Sequence, residues 1–396
     1  MIPIAVYDET SDLIAVTSWQ IGIEAFVGHT LPQEKSLYEA YFDVQEVMKK
    51  QKNIVNILSQ QMGIKVVDLR DSYARSLPTS TEIKKEQLVK TIEDQCRRNI
   101  RDNWSYIEGE TVKKLLEEGI IGKLLEEDIK VYGEDRAVNL NYELCAKHPS
   151  YPLCNIFYVR DIFSVVLDKV ISSRMRRRIR QPEVSLIETA LKPFVKKISR
   201  IPQGNLEGGD VIVFDDKVYV GTGRRTDECG ASELFNILRE TSVSSVYEFI
   251  VIKQPWNIMH SDTFWMPWGT GTVVVEPNVA KETEVMSFPK NQSRNYKPSD
   301  LRSHGDFYTY LGDRYEIIKI DHIGQLSGQS NFLNLTEKDK IFTGWPTQRF
   351  SKKIDLDGIK PVGHMSFYDS TGAGGLRGGG GAAHCSFNAL ARGYVH

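Results

Sequence analysis

What most constrains this chain is a series of short apolar β segments that breaks off for a helical stretch and then resumes. Strand-like runs occur at 13–17 and 64–68, and again at 164–167, 249–252, 271–276, 315–320 and 340–343. Between 210 and 221 two more such runs flank Asp215-Asp216, residue types whose side chains suit a tight hairpin turn. Leu37, Tyr41, Val44, Met48, Gln51, Val55 and Leu58 keep near-helical spacing between the first two strands. From about 79 to 128 the pattern is helical throughout. Thr79-Ser-Thr-Glu82 has capping-box spacing, and Ile83, Leu88, Ile92, Cys96 and Ile100 form an apolar stripe. Helical runs follow at 112–118 and 123–128. Strand, helix, strand, then a helical insertion and many short β units predict an α/β protein.

With 396 residues, of which 41% are hydrophobic and 26% charged, the chain can bury a large core. A net charge of -2 argues against nucleic-acid binding. The basic run Arg174, Arg176, Arg177, Arg178, Arg180 is expected to be mostly a solvated face. The N-terminus has no basic region followed by an apolar one, and no window approaches eighteen apolar residues, so neither a signal peptide nor a membrane span is expected. Five widely spaced cysteines without a C-x-x-C pair point to a reduced, cytoplasmic compartment and to no metal site.

Four segments place polar side chains beside strand-like or glycine-rich backbone: Asn155-Ile-Phe-Tyr-Val-Arg-Asp161, Glu207-Gly-Gly-Asp210, Met259-His-Ser-Asp-Thr263, and Gly378-Gly-Gly-Gly-Ala-Ala-His-Cys385. Singly each is weak, because a buried cysteine is usually a small core hydrophobe and a strand-end Asp is usually a turn or a cap. Four glycines before Cys385 let backbone approach a ligand closely, and His384 adjoins the thiol. Trp256, Trp265 and Trp268 around His260 are expected as core or pocket wall.

In this order, the four segments resemble the arginine deiminase branch of the guanidino-group-modifying enzymes, and the resemblance covers nearly the whole chain. It implies the pentein fold, a five-bladed pseudo-symmetric α/β propeller. Residues 1–396 would then be one catalytic domain, with 75–150 as an inserted helical subdomain. It implies Cys385 as nucleophile, His260 as proton carrier partnered by Glu207, and Asp161 and Asp262 as clamps on a guanidinium. Asn155 falls in the same strand motif. Arg180-Gln-Pro-Glu183 and Gly221-Thr-Gly-Arg-Arg-Thr226 match two further family motifs, which implies that Arg180 and Arg225 hold a substrate carboxylate, with Arg377 as a third candidate. Ile162 and Ser261 depart from the family's usual Pro and Leu, and Ala382 and Ala383 set Arg377 farther from Cys385 than its equivalent usually lies.

The chemistry fits those residue types. A guanidinium is planar and permanently cationic, so two carboxylates can grip it by paired N–H bonds and aim its carbon at a thiolate. An imidazole can then protonate the leaving ammonia and deprotonate water. The expected reaction is hydrolysis of L-arginine to L-citrulline and ammonia through an S-alkylthiouronium on Cys385, with no metal or organic cofactor. The alternatives are an amidinotransferase, a hydrolase of another guanidine, and a non-catalytic binding relative. The expected partner is the small-molecule substrate, with neither nucleic acid nor membrane, and a homo-oligomer is the default state.

Overall fold

The structure, a computed structural model, describes residues 4–102, 108–149, 152–241, 246–289, 295–341 and 381–393. Its strands form five separate sheets among the described residues, with helices between them, so the α/β class is as expected. Leu13–Ser18 lies between Lys65–Asp68, to which it is parallel, and Phe387–Arg392, to which it is antiparallel. The chain's two ends therefore share one sheet. Phe163–Val166 pairs antiparallel with Lys169–Ser172, which runs parallel to Ile198–Arg200. A five-stranded sheet runs Arg302–Asp306, Glu284–Ser287, Glu248–Lys253, Lys217–Thr222, Val211–Phe214 in spatial order. Trp265–Gly269, Thr272–Val275 and Glu316–Lys319 make a third three-stranded sheet, and Leu333–Asn334 with Lys340–Ile341 make the smallest.

Residues 211–222 form the expected hairpin. Asp215 and Asp216 have φ of 51° and 53°, the left-handed pair that lets a two-residue turn follow the natural twist of its strands. Strand interiors such as Val211–Phe214 and Phe163–Val166 are buried on both faces, which is why they read as continuous apolar runs rather than alternating ones.

Two helix starts differ from expectation. The long N-terminal helix spans Val44–Asn56 rather than beginning at Leu37, because Asp43 caps it, accepting from the amides of Gln45 and Glu46 at 2.9 and 3.1 Å. Leu37 instead ends a one-turn helix, Gln33–Ser36, in left-handed geometry with φ 64°. The capping box at Thr79–Glu82 does not form either, and the helix there is Lys85–Asp102. Thr81 Oγ1 accepts from the amide of Ile83 two residues on, a local turn, while Asn139 Nδ2 donates to the carbonyls of Pro78 and Ser80 at 3.0 Å. These bonds hold 78–83 out of a helix.

The helices Lys85–Asp102, Glu108–Glu117, Ile120–Tyr132 and Glu134–Asn141 occupy the expected helical stretch. Their apolar faces, including Leu88, Ile92, Leu124 and Val138, join one core with Ala15, Val16 and Phe387. Of the basic run, Arg174, Arg176, Arg177 and Arg178 are exposed and Arg180 is buried. Trp265 and Trp268 are buried, but Trp256 is 65% exposed beneath the Arg176 guanidinium, so it belongs to neither core nor pocket wall.

One fully buried cation ties the helical stretch to the sheets. Arg70 bonds Glu24 at 2.7 Å on one side and Asp128 at 2.6 Å on the other, with Asn141 also reaching Asp128. Arg70→Met leaves two buried carboxylates without their cation, so stability should fall by about 3–5 kcal/mol. Urea unfolding checks this, and a change within 1 kcal/mol would show that the network contributes no net tie.

Candidate active site

The segment 155–161 ends in a one-turn helix, Val159–Ile162, that carries Asp161 just before the buried strand Phe163–Val166. The turn Gly208–Asp210 lies against it because of its glycines. A Cβ on Gly208 would come within 2.0 Å of the Arg160 carbonyl, and one on Gly209 within 2.9 Å of the His260 ring. The Glu-Gly-Gly-Asp motif thus marks a place where backbone, ring and carboxylate pack without room for a methyl group. Asp210 receives the amide of Ser261 at 3.0 Å and Gln254 Nε2 at 3.0 Å, which makes it a structural acceptor that holds the loop carrying His260 and Asp262.

His260 is fully buried between two acids. Its Nε2 lies 2.9 Å from Glu207 and its Nδ1 3.5 Å from Asp161. Burial by itself would lower the imidazole pKa, but Asp161, the bond to Glu207 and Asp210 outweigh it and raise the pKa to about 9. Burial likewise opposes ionisation of Glu207, yet Arg225 and His260 bring its carboxyl down to about 2. His260 is thereby held as an imidazolium against a carboxylate.

Cys385 sits on the turn Ala383–Ser386, immediately before the strand Phe387–Arg392 that pairs with Leu13–Ser18. Its Sγ is 3.8 Å from Asp262 Oδ2, which also accepts from His384 Nδ1 at 2.7 Å. Burial, then Asp262 and Asp161, push the thiol pKa well above its usual range. Both acids oppose ionisation of the thiol, and a cation placed between sulfur and these acids would reverse that effect.

Cys385, Asp161, His260, Arg180, Arg225 and Asn155 all border one inner cavity of about 20 Å³, room for a single water. Glu207 stands behind His260 and Asp262 behind Cys385. Leu37, Arg225 and Met259 border both this cavity and an outer cleft of about 460 Å³, whose wall also carries Arg177 and Arg224. Arg225 is buried at the join. It lies 3.7 Å from Glu207 and donates to the thioether of Met259 at 3.4 Å, while its Nε and Nη1 have no hydrogen-bond partner among the described residues. Arg180 is differently placed: it bonds Asp161 at 2.5 Å, Glu183 at 2.8 Å and the carbonyls of Asn155 and Tyr158. Asn155 donates from Nδ2 to the Ser36 carbonyl at 2.7 Å. Arg377 lies outside the described residues.

Three site residues were not singled out from the sequence. Asn331 accepts from the Cys385 amide at 3.2 Å and donates to the Asp262 carbonyl at 3.3 Å, so one side chain spans the thiol's turn and the carboxylate loop. Tyr158 accepts from the Gly381 amide at 3.1 Å. His384 matches the glycine-rich His-Cys run in the sequence but has no role of its own there. The polar run Gly328-Gln-Ser-Asn331 between strand signals was the one available hint for Asn331.

Comparison with known proteins bears on the family and the fold. The arginine deiminase of Metamycoplasma arthritidis is 24% identical over 278 residues, 66% of this chain and 64% of that protein. An uncharacterized protein YkgA of Bacillus subtilis is 27% identical over 184 residues, 46% of this chain and 54% of that one. The chain thus aligns with rather less than two thirds of the length of these curated relatives. Among solved structures, SxtG, an amidinotransferase from Microseira wollei, superposes with TM-score 0.54 at 15% identity over 100% of this chain and 99% of its own. A dimethylarginine dimethylaminohydrolase superposes with TM-score 0.52 at 14% identity over 95% and 99%. Both are pentein-fold proteins, and at such identity the likeness is one of fold. The model of the family described as arginine deiminase matches residues 35–337, more than half of the sequence, and with it this chain belongs to the arginine deiminase family.

Proposed function

We propose that the protein hydrolyses L-arginine to L-citrulline and ammonia through a covalent intermediate on Cys385. The observation that carries this reading is the convergence of a buried thiol, an imidazolium and an unsatisfied guanidinium, Arg225, on one cavity. A guanidinium entering beside Asp161 and Asp262 supplies the positive charge that the Cys385 proton otherwise has to provide. The thiol proton then leaves to solvent. The thiolate adds to the guanidinium carbon, giving a neutral tetrahedral adduct. His260 gives a proton to one terminal nitrogen, the C–N bond breaks, and ammonia departs from an S-alkylthiouronium cation. Neutral His260 takes a proton from water as the hydroxide attacks, and collapse releases citrulline and the sulfur.

Arg180 has its charge committed to Asp161 and Glu183, so in this reading it sets the guanidinium clamp, and Arg225 meets the α-carboxylate where the cavity joins the outer cleft. Asn155, whose carbonyl receives Arg180, supports the same wall. Amidino transfer would share the covalent step on Cys385 and differ only in the acceptor, so product analysis with an added amine separates the two. The five sheets are read as the five blades of a single catalytic domain, residues 1–396, with 75–150 inserted. A cytoplasmic homo-oligomer is the setting proposed for it, consistent with five unpaired cysteines and with no described helix being long and apolar enough to cross a membrane.

Incubation with arginine, with and without an amine acceptor, and quantification of ammonium, citrulline and ornithine tests the reading. Equal molar ammonium and citrulline, unaffected by the amine, is the expected result, and Cys385→Ser should reduce it by about a thousandfold or more while the protein stays folded. Substantial citrulline from that variant would rule out the covalent route.

Because His260 acts first as an acid, turnover should decline as pH rises through about 9. The folded pKa is raised, so the imidazolium's contribution to stability is complete below 6.5 and is lost over the same alkaline rise. Glu207→Gln removes the charge that sustains it, and the alkaline limb of the rate profile should move to lower pH. An unmoved limb would assign that ionisation to another group.

Agmatine lacks the α-carboxylate and leaves Arg225 buried and unpaired. Preference for arginine over agmatine should therefore be about tenfold or more in kcat/KM. Arg225→Ala should erode it by harming arginine turnover alone, whereas comparable kcat/KM for both substrates in the parent protein would move the assignment to another guanidine.

A further inference from the structure

The residue before the nucleophile has no role in the reaction so far, yet it is 1% exposed and points at the same carboxylate as the thiol. His384 Nδ1 lies 2.7 Å from Asp262 Oδ2, an acceptor with no proton to give, so Nδ1 carries the hydrogen and donates. Nε2, on the far side of the ring, faces Glu9 Oε1 at 3.8 Å. Glu9 is itself pinned by Arg160 at 2.8 Å and by Arg392 at 3.1 Å. The ring is thus held between two buried acids, and its backbone amide bonds the Asn331 carbonyl at 3.2 Å.

We propose that His384 is a positioning residue: its Nδ1–H fixes the Asp262 carboxylate with Oδ2 beside Cys385 Sγ and leaves Oδ1, which has no hydrogen-bond partner among the described residues, to receive a guanidinium N–H. Successive residues carry the imidazole and the thiol, so the sulfur and the carboxylate that grips the substrate are registered to each other by a single turn of backbone. The same hydrogen bond draws charge on Oδ2 away from the sulfur. Without it, an undivided negative charge stands beside the sulfur and opposes thiolate formation. The other groups facing that thiol are Asp161, whose charge acts in the same sense, and the cations Arg180, Arg225 and His260 across the cavity. The inference rests on the guanidine-hydrolase reading for its effect on rate, but its effect on the thiol stands without that reading.

Two amides separate the ring nitrogens. Asn carries its side-chain nitrogen as many bonds from Cα as His Nδ1, and Gln carries it at the distance of Nε2. In His384→Asn, kcat on arginine and the pH at which the Cys385 thiolate appears should both stay close to the parent's. In His384→Gln, or His384→Leu if the Gln variant does not fold, kcat should drop about 10- to 100-fold, the cost of losing a hydrogen bond to a charged group. The thiolate should also appear at higher pH. Its ultraviolet absorbance, taken as the difference from the same protein carrying Cys385→Ser, reads that titration without any turnover. In an Asp262→Asn background, His384→Gln should shift the titration no further. Indistinguishable Asn and Gln variants, or equal shifts in both backgrounds, overturn the proposal. A parent protein that turns over no guanidine but still shows the Asn–Gln difference in thiolate titration defeats the proposed function alone.

Discussion

Six buried side chains run through the site as a line of alternating charge: Glu183, Arg180, Asp161, His260, Glu207, Arg225. Neighbours stand 2.8, 2.5, 3.5, 2.9 and 3.7 Å apart along it. Burying any one of these groups alone would cost several kcal/mol, and each is tolerable because a partner of opposite sign sits on at least one side. The line also tunes its members. It drives His260 up to about 9 and Glu207 down to about 2 although burial pushes both the other way. The two ends differ. Glu183 is held by the Arg180 guanidinium at 2.8 Å, whereas Arg225 closes the line with a thioether, and its Nε and Nη1 have no hydrogen-bond partner among the described residues at the join with the outer cleft. The unmet donors therefore lie at the one end of the line that borders the outer cleft.

Cys385 stands beside this line and is not a member of it. Burial and its neighbours Asp262 and Asp161 push the thiol pKa up and so oppose thiolate formation. In the proposed reaction the charge of a bound guanidinium offsets that effect. Glu9, Arg160 and Arg392 supply the rigidity behind it. They join the N-terminal segment, the Asp161 turn and the last strand in one buried cluster, so that closing the sheet between the two ends of the chain also sets the position of Cys385.

Much of this was legible in the sequence because the chemistry is local there. Glu207-Gly-Gly-Asp210 announces a tight approach, and the structure gives the reason in the missing Cβ atoms of Gly208 and Gly209. Asp210 reads as an acceptor for loop amides and is one. The hairpin at Asp215-Asp216 follows from turn chemistry alone. Helix starts were less legible, since a cap depends on which competing acceptor wins. Asp43 captured the helix expected from Leu37, and Asn139, remote in sequence, diverted the segment at Thr79.

The sequence by itself determined the α/β class, the helical stretch and the residue types of a guanidine-handling site, because strand and helix periods and short motifs are properties of neighbouring residues. Only the tertiary structure decided how those residues divide their work. It committed Arg180 to Asp161 and Glu183, left Arg225 Nε and Nη1 without a hydrogen-bond partner among the described residues, turned Trp256 out to solvent, and brought Asn331 to the Cys385 amide and His384 to the Asp262 carboxylate. Those outcomes depend on which charges share a water-free interior. That is fixed when segments tens to hundreds of residues apart pack together, and no local pattern encodes it.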